Sequence, residues 1–128
     1  HWLNMGKRMP KAPKIFHVNW FRTDEEGKFI WPGFTENLRV LEWILDRCND
    51  KVDAVKTAIG YIPKLDDIDM TGLKLSRDNL EKLLEVNPVE WLEELKKIKK
   101  FFGEFKKDLP AELWEEYKNL EKRIKENG

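Results

Sequence analysis

Five large aromatic residues, Trp20, Phe21, Phe29, Trp31 and Phe34, gather in one short stretch with Pro32, Gly33 and Asn37. Phe21, Phe29 and Phe34 do not repeat at the three- and four-residue spacing of a helical stripe and fall instead on loops and strand ends. Flat rings so placed can cover the faces of a planar ligand, and a base stacked on an aromatic side chain gains about 1–3 kcal/mol. Polar groups identify such a base at its edge, and the Asn37 amide offers both a donor and an acceptor. Pro32-Gly33 would hold the loop open and let backbone groups approach the ligand. The competing reading is that these rings fill a hydrophobic core, and composition taken alone favours it.

Other chemistry-bearing residues are sparse. His1 and His17 are the only histidines, Cys48 is the only cysteine, and no HxxxH or CxxC spacing occurs. His17 sits in an aromatic stretch, the setting of a packed, hydrogen-bonded histidine more than of a ligand. Asp66, Asp67 and Asp69 read as a solvated acidic turn before they read as a cation site. No GxxxxGK(S/T) loop is present to cradle phosphates, so neither a catalytic residue nor a metal ligand is assigned. A single cysteine excludes an internal disulfide and suits a reducing, cytoplasmic compartment. The net charge of zero gives no global pull toward nucleic acid or an acidic membrane. Residues 1–23 nevertheless carry Lys7, Arg8, Lys11, Lys14 and Arg22 with no carboxylate, which reads as a solvated basic face.

The elements that would position the aromatic cluster divide the chain in two. Residues 1–63 are rich in aromatics, Gly and Pro and read as strand, loop and helix; residues 64–128 read as helix nearly throughout. Residues 1–5 suggest the tail of a helix, ended by Gly6. Residues 14–21 alternate Phe16, Val18 and Trp20 with Ile15, His17, Asn19 and Phe21, a strand covered on both faces. Asp24-Glu25-Glu26-Gly27 marks a turn, residues 28–31 a short returning strand, and residues 57–62 a further strand. A helix from near Thr35 to Asn49-Asp50 would bury Leu38, Leu41, Ile44, Leu45 and Cys48. In the second half, Ser76 caps a helix carrying Leu80, Leu83 and Leu84. Asn87-Pro88-Val89-Glu90 starts another, with Glu90 reaching back to the cap and a Glu93–Lys97 pair along it. Asp108-Leu109-Pro110 starts the last helix, whose stripe is Leu113, Tyr117, Leu120 and Ile124.

The run KIFHVNWFR at residues 14–22, followed by GKFIWPGFTEN at residues 27–37, resembles the guanine-binding segment of GTP-dependent phosphoenolpyruvate carboxykinases. The likeness continues through RVLEWI at residues 39–44 and AIGYIP at residues 58–63, and the first three residues fit upstream. It covers residues 1–63 closely and the helical tail more weakly. The resemblance implies an enzyme that converts oxaloacetate and GTP to phosphoenolpyruvate, carbon dioxide and GDP with Mn2+ or Mg2+. It implies that Phe21, Phe29 and Phe34 enclose the guanine ring, that residues Phe34, Thr35, Glu36 and Asn37 contact the nucleotide, and that Asn37 reads the base edge. The phosphate loop, the metal ligands and the mobile lid would lie upstream. Thr35 departs from the family, which usually has Gly there; its side chain would crowd the base or alter the loop, unless it serves as a helix N-cap.

The fold class that follows is α+β: few strands, then a mostly helical tail, forming one domain over residues 1–128 within a larger α/β mononucleotide-binding domain. With His1 in place of an initiator Met, the chain reads as the C-terminal fragment of such an enzyme, inactive alone and partnered by GTP and the upstream catalytic part. Strands severed from their sheet would expose edges and favour self-association. Two other classes stay open: a stand-alone module whose aromatic pocket takes another planar ligand, and a helical domain with no ligand.

Overall fold

The computed structural model describes residues 1–126. Five α-helices run α1 (Trp2–Arg8), α2 (Asn37–Cys48), α3 (Arg77–Leu84), α4 (Pro88–Glu104) and α5 (Ala111–Glu126). Between α2 and α3 lies an antiparallel hairpin of β1 (Val55–Thr57) and β2 (Gly60–Ile62), with Lys56 opposite Tyr61. One-turn 3-10 helices occupy Phe34–Glu36, Leu65–Asp67 and Lys106–Asp108.

The helical half forms as its sequence dictates. Ser76 Oγ accepts from the backbone N–H of Asn79 and opens α3. Asn87 Oδ1 accepts from the N–H groups of both Val89 and Glu90, with Pro88 in the first turn of α4. Glu90 does not reach back to this cap; its carboxylate faces Arg22 instead, at 3.6 Å. Glu93 and Lys97 likewise pair three residues along, Glu93 with Lys96 and Lys97 with Glu94. α4 and α5 pack on each other, burying Leu95 and Ile124 with Ala58, and Trp91, Leu92, Tyr117 and Leu120 close the cluster. A second cluster gathers Trp43, Ile68 and Leu80 with Phe16, Ile44, Val52 and Leu84.

In the first half the elements depart from the sequence pattern. Residues 14–21 join no sheet: a strand needs a backbone partner, and among the described residues no segment bonds to their backbone N–H or C=O groups. Residues 28–31 return only as far as a single bridge, Thr23 opposite Phe29, closed by Asp24 Oδ1 accepting from Glu26 and Lys28 and by Gly27 at φ 77°. Residues 57–62 are a hairpin turn with its strand ends rather than one strand. Gly60 at φ 135° lets the chain reverse, and Thr57 Oγ1 donates to the Gly60 carbonyl at 2.7 Å. Gly6 lies inside α1; the helix ends instead at Met9, which adopts φ −94°, ψ 121° as a residue before Pro10 must.

The apolar stripe expected to bury α2 faces outward. Leu38, Leu41, Leu45 and Cys48 are exposed, whereas Trp43 is buried and Ile44 packs beside it. The one indole carries more apolar area than any leucine of the stripe, and its burial fixes the rotation of the helix. α2 then closes with Asp50 in the left-handed region at φ 54°. The N–H of Lys51 reaches Asp46 O and that of Asp50 reaches Arg47 O, the paired bonds of a Schellman ending.

Truncating a fully buried core position, Leu95→Ala, should destabilise the chain by about 2–5 kcal/mol in urea melts, since Leu95 is only 2% exposed. Lys106, which follows the C-cap of α4, holds φ 51°. Lys106→Gly removes a left-handed conformation that a Cβ resists, and should raise stability by about 0.5–1 kcal/mol in the same assay.

The basic N-terminal stretch is held by two exposed pairs, Lys7 to Glu112 at 3.0 Å and Lys14 to Asp50 at 2.9 Å. The Lys14 hydrogen bond lowers the Asp50 carboxyl below its ordinary 3.8. Glu112 lies below its ordinary 4.5 through its own backbone N–H first and Lys7 second. A lowered carboxylate stabilises the folded state above the ordinary value, and the contribution is lost as pH falls through the folded one. The NMR signals of residues 1–14 should therefore hold steady above the ordinary 4.5 and 3.8 and move toward unfolded positions under more acid conditions. Release already near neutrality would contradict this anchoring.

Candidate functional site

The aromatic cluster separates into an inner and an outer set. Trp31 is buried and packs on Trp20 with ring centroids 5.9 Å apart. Phe21, Phe29 and Phe34 remain 70%, 63% and 89% exposed. Alternation along the chain explains the split: Phe16, Val18 and Trp20 turn inward, leaving Phe21 outward with Ile15, His17 and Asn19. The Thr23–Phe29 bridge brings Phe29 back beside Phe21, and the rings meet edge-on at 5.8 Å and 64°. Phe34 stands at the start of the 3-10 turn that leads into α2.

Two side chains fix that turn. Trp31 Nε1 donates to Asn37 Oδ1 at 2.9 Å, tying the first residue of α2 to the inner aromatic set. Arg39 donates through Nε to Glu36 at 2.7 Å, through Nη1 to the Asp69 carbonyl at 2.7 Å and through Nη2 to the Thr71 carbonyl at 2.9 Å. Residues 34–37 are thus held between an indole on one side and a guanidinium anchored to the 69–71 loop on the other. Gly33, at φ 128° and ψ −173°, lets the chain enter the turn at an angle that a Cβ would resist.

The residues expected at the site differ in what they leave available. Asn37 has its carbonyl engaged by Trp31, so the side-chain NH2 is the group that stays open to a ligand. Glu36 is half-buried and committed to Arg39. Thr35 is exposed and is not the N-cap: Gly33 precedes the 3-10 turn, Glu36 precedes α2, and neither donates or accepts a side-chain cap bond. Thr35 does not adopt positive φ, so its Cβ demands no strained backbone where the resembled family usually has Gly.

Sequence reasoning missed Arg39 as the residue that positions the turn. Its i,i+3 spacing from Glu36 was a visible signal, but the carbonyls of Asp69 and Thr71 lie thirty or more residues away and carry no sequence mark. Phe21, Phe29 and Phe34 line an open surface and not a closed slot. Two concavities lie elsewhere, one of about 170 Å3 beside Arg39, Trp43, Asp46 and Asp69, and one of about 530 Å3 between the β1–β2 turn, Pro88 and Arg123.

The acidic loop is occupied by internal partners. Asp66 pairs with Arg77 at 2.8 Å, Asp67 accepts from the Lys64 N–H, and Asp69 accepts from the Thr71 N–H. The Thr71 backbone bond, with Arg39 close by, holds Asp69 below its ordinary 3.8. Among the described residues no three His, Cys, Asp or Glu side chains converge on one point. No helix of the described residues is long and apolar enough to cross a membrane.

Residues 1–123 match the family model described as the phosphoenolpyruvate carboxykinase C-terminal P-loop domain. The chain is 46% identical over 127 residues to the phosphoenolpyruvate carboxykinase [GTP] of Chlamydia muridarum, with 98% of this chain and 21% of that protein covered. It is 43% identical over 124 residues to the Thermoplasma volcanium protein of the same name, with 97% and 20% covered. It is 47% identical over 128 residues to the cytosolic [GTP] form of Gallus gallus, with 98% and 20% covered. The chain spans about a fifth of the length of the curated relatives it matches. With a family model over nearly its whole length and relatives of such identity, the chain belongs to the GTP-dependent phosphoenolpyruvate carboxykinase family, in its C-terminal P-loop domain.

Proposed function

We propose that this chain is the base-recognition part of a GTP-dependent phosphoenolpyruvate carboxykinase, whose reaction converts oxaloacetate and GTP to phosphoenolpyruvate, GDP and carbon dioxide. The observation that carries the reading is the fixed turn at residues 34–37, which presents the exposed Phe34 ring and the half-committed Asn37 amide, while the exposed Phe21 and Phe29 rings meet edge-on earlier in the chain. Phe34 and the Phe21–Phe29 pair supply faces for a planar base. Guanine shows acceptors at O6 and N7, whereas adenine shows an amino donor at position 6. The Asn37 NH2, with Oδ1 held by Trp31, suits O6 and repels the adenine amino group. Trp31 is in this sense a positioning residue: its N–H chooses which half of the amide faces outward. Thr35 and Glu36 carry the backbone past the base, with Glu36 turned away to Arg39.

The chain's own residues bind and orient the base. Phosphate contacts, the divalent metal and the decarboxylation chemistry belong to the rest of such an enzyme, so the 128-residue chain alone is inactive. A cytoplasmic setting follows from the same reading. The whole of residues 1–128 then serves as one unit, with residues 1–63 carrying the nucleotide segment and residues 64–128 supporting it.

The test is kinetic, in a full-length carboxykinase carrying this segment. Phe34→Ala and Asn37→Ala should raise KM for GTP by roughly 10- to 100-fold with little change in kcat, the loss expected for a stacked base or an edge contact. Asn37→Ala should also narrow the preference for GTP over ATP. Because Phe34 is 89% exposed, its variant should melt at the parent temperature. Unchanged GTP kinetics in both variants would show that the outer rings play no part in base binding.

A further inference from the structure

The charges that cancel over the whole chain do not cancel along the end of α4. Residues 96–107 read KKIKKFFGEFKK, with one carboxylate, Glu104. Lys96 and Lys97 are spent on Glu93 and Glu94. Lys99, Lys100, Lys106 and Lys107 are exposed and pair with no carboxylate among the described residues. Phe101 and Phe105 stand among them, 55% and 44% exposed, with ring centroids 5.1 Å apart. The pair is backed from within: Phe101 lies 6.4 Å from Phe102, which meets Trp114 of α5 edge-on at 5.5 Å. Lys106 adds an independent sign. It holds φ 51° just past the C-cap of α4, where glycine is the residue without a steric cost. Lys107, outside that backbone region, serves the helix dipole equally well. Strained backbone positions gather at ligand-binding sites, and what Lys106 brings to this one is a charge.

We propose that this end of α4 docks on an anionic phospholipid surface, with the four unpaired lysines facing the headgroup phosphates and carboxylates and the Phe101 and Phe105 rings entering the interface between them. Charge complementarity selects the partner: lysines clustered on a helix are drawn to anionic lipid, and exposed rings among them supply the apolar contact that pure charge lacks. Lysine stems also reach along an apolar surface while their ammonium groups stay in water. An acidic peptide is a poorer occupant, because it needs a groove or a strand edge and both concavities described above are lined by other residues. A single-stranded nucleic acid is poorer too. Its bases stack on open ring faces, whereas Phe101 and Phe105 meet at 83°, so that one ring's edge covers the other's face. The surface lies apart from the turn at residues 34–37, and the proposal does not depend on how that turn binds a base.

Vesicle co-sedimentation of a full-length carboxykinase carrying this segment tests the proposal. Binding is expected to vesicles of phosphatidylcholine mixed with phosphatidylserine, to be absent from phosphatidylcholine alone, and to vanish near 1 M salt, where the screening length falls to about 3 Å. Replacing Lys99, Lys100, Lys106 and Lys107 by Gln should weaken partitioning by roughly a hundredfold or more, at about fivefold per lysine. Replacing Lys11, Lys56, Lys74 and Lys118 by Gln removes the same charge elsewhere and should leave most of the binding. Phe101→Ser should weaken it by about tenfold. Lys106→Gly separates docking from folding: it should raise the thermal midpoint and still cost about fivefold in partitioning. No binding to the phosphatidylserine vesicles at low salt overturns the proposal, as does binding that the four substitutions at the end of α4 leave unchanged. Tighter binding to single-stranded polyuridylate than to the vesicles, lost in the same four-lysine variant, would make nucleic acid the occupant and overturn the assignment to lipid.

Discussion

Arginine guanidinium groups bonded to backbone carbonyls hold the pieces of this chain together. Arg39 joins the start of α2 to the carbonyls of Asp69 and Thr71, and Arg22 joins the aromatic segment to the Glu85 carbonyl before α4. Arg47 donates to Val52 O beyond the end of α2, and Arg123 of α5 donates to Ala58 O at the β1–β2 turn. A planar fork of five donors can serve two carbonyls and a carboxylate at once in a fixed geometry. These ties matter because the buried apolar clusters are small: Trp43, Ile68 and Leu80 in one, and Ala58, Leu95 and Ile124 in the other. Loops that such cores cannot clamp by packing are clamped by charge-assisted bonds.

The same shortage of burial shapes the aromatic surface. Fully burying a phenylalanine is worth about 1.5–3 kcal/mol, so a chain of this length gives up a large fraction of its margin by leaving Phe21, Phe29 and Phe34 in water. Trp31 and Trp43, a few residues away, were both drawn inside. The difference lies in the loop: the bridge at Phe29 and the turn at Phe34 point their side chains away from both core clusters, and the Trp31–Asn37 bond keeps the turn from rotating inward. The outer rings are held out by the fold.

Much of the organisation was legible residue by residue. Ser76 and Asn87 announced their helices because a cap needs only a short side-chain oxygen and the N–H groups two or three residues on. The Asp24 turn, the end of α2 at Asn49-Asp50 and the Leu113, Tyr117, Leu120, Ile124 stripe are likewise local in origin. The hairpin at residues 55–62 was hidden, since a short apolar run looks the same whether it extends or reverses, and only Gly60 hinted at the reversal.

The sequence by itself determined the family, the chemical types of the candidate site and the helical half, because motifs, caps and helical periodicity depend on neighbours a few residues apart. Tertiary structure decided which way α2 turns, burying Trp43 and exposing Leu38, Leu41 and Leu45, because that choice belongs to contacts with Ile68 and Leu80. It also decided that Asn37 offers its NH2, through the indole of Trp31, and that Arg39 anchors the turn, through carbonyls whose positions no side-chain pattern encodes. Residues 14–21 mark the boundary between the two. Their alternation is written in the sequence, but a strand becomes a sheet only when another segment meets its backbone, and that depends on which polypeptide lies beside it.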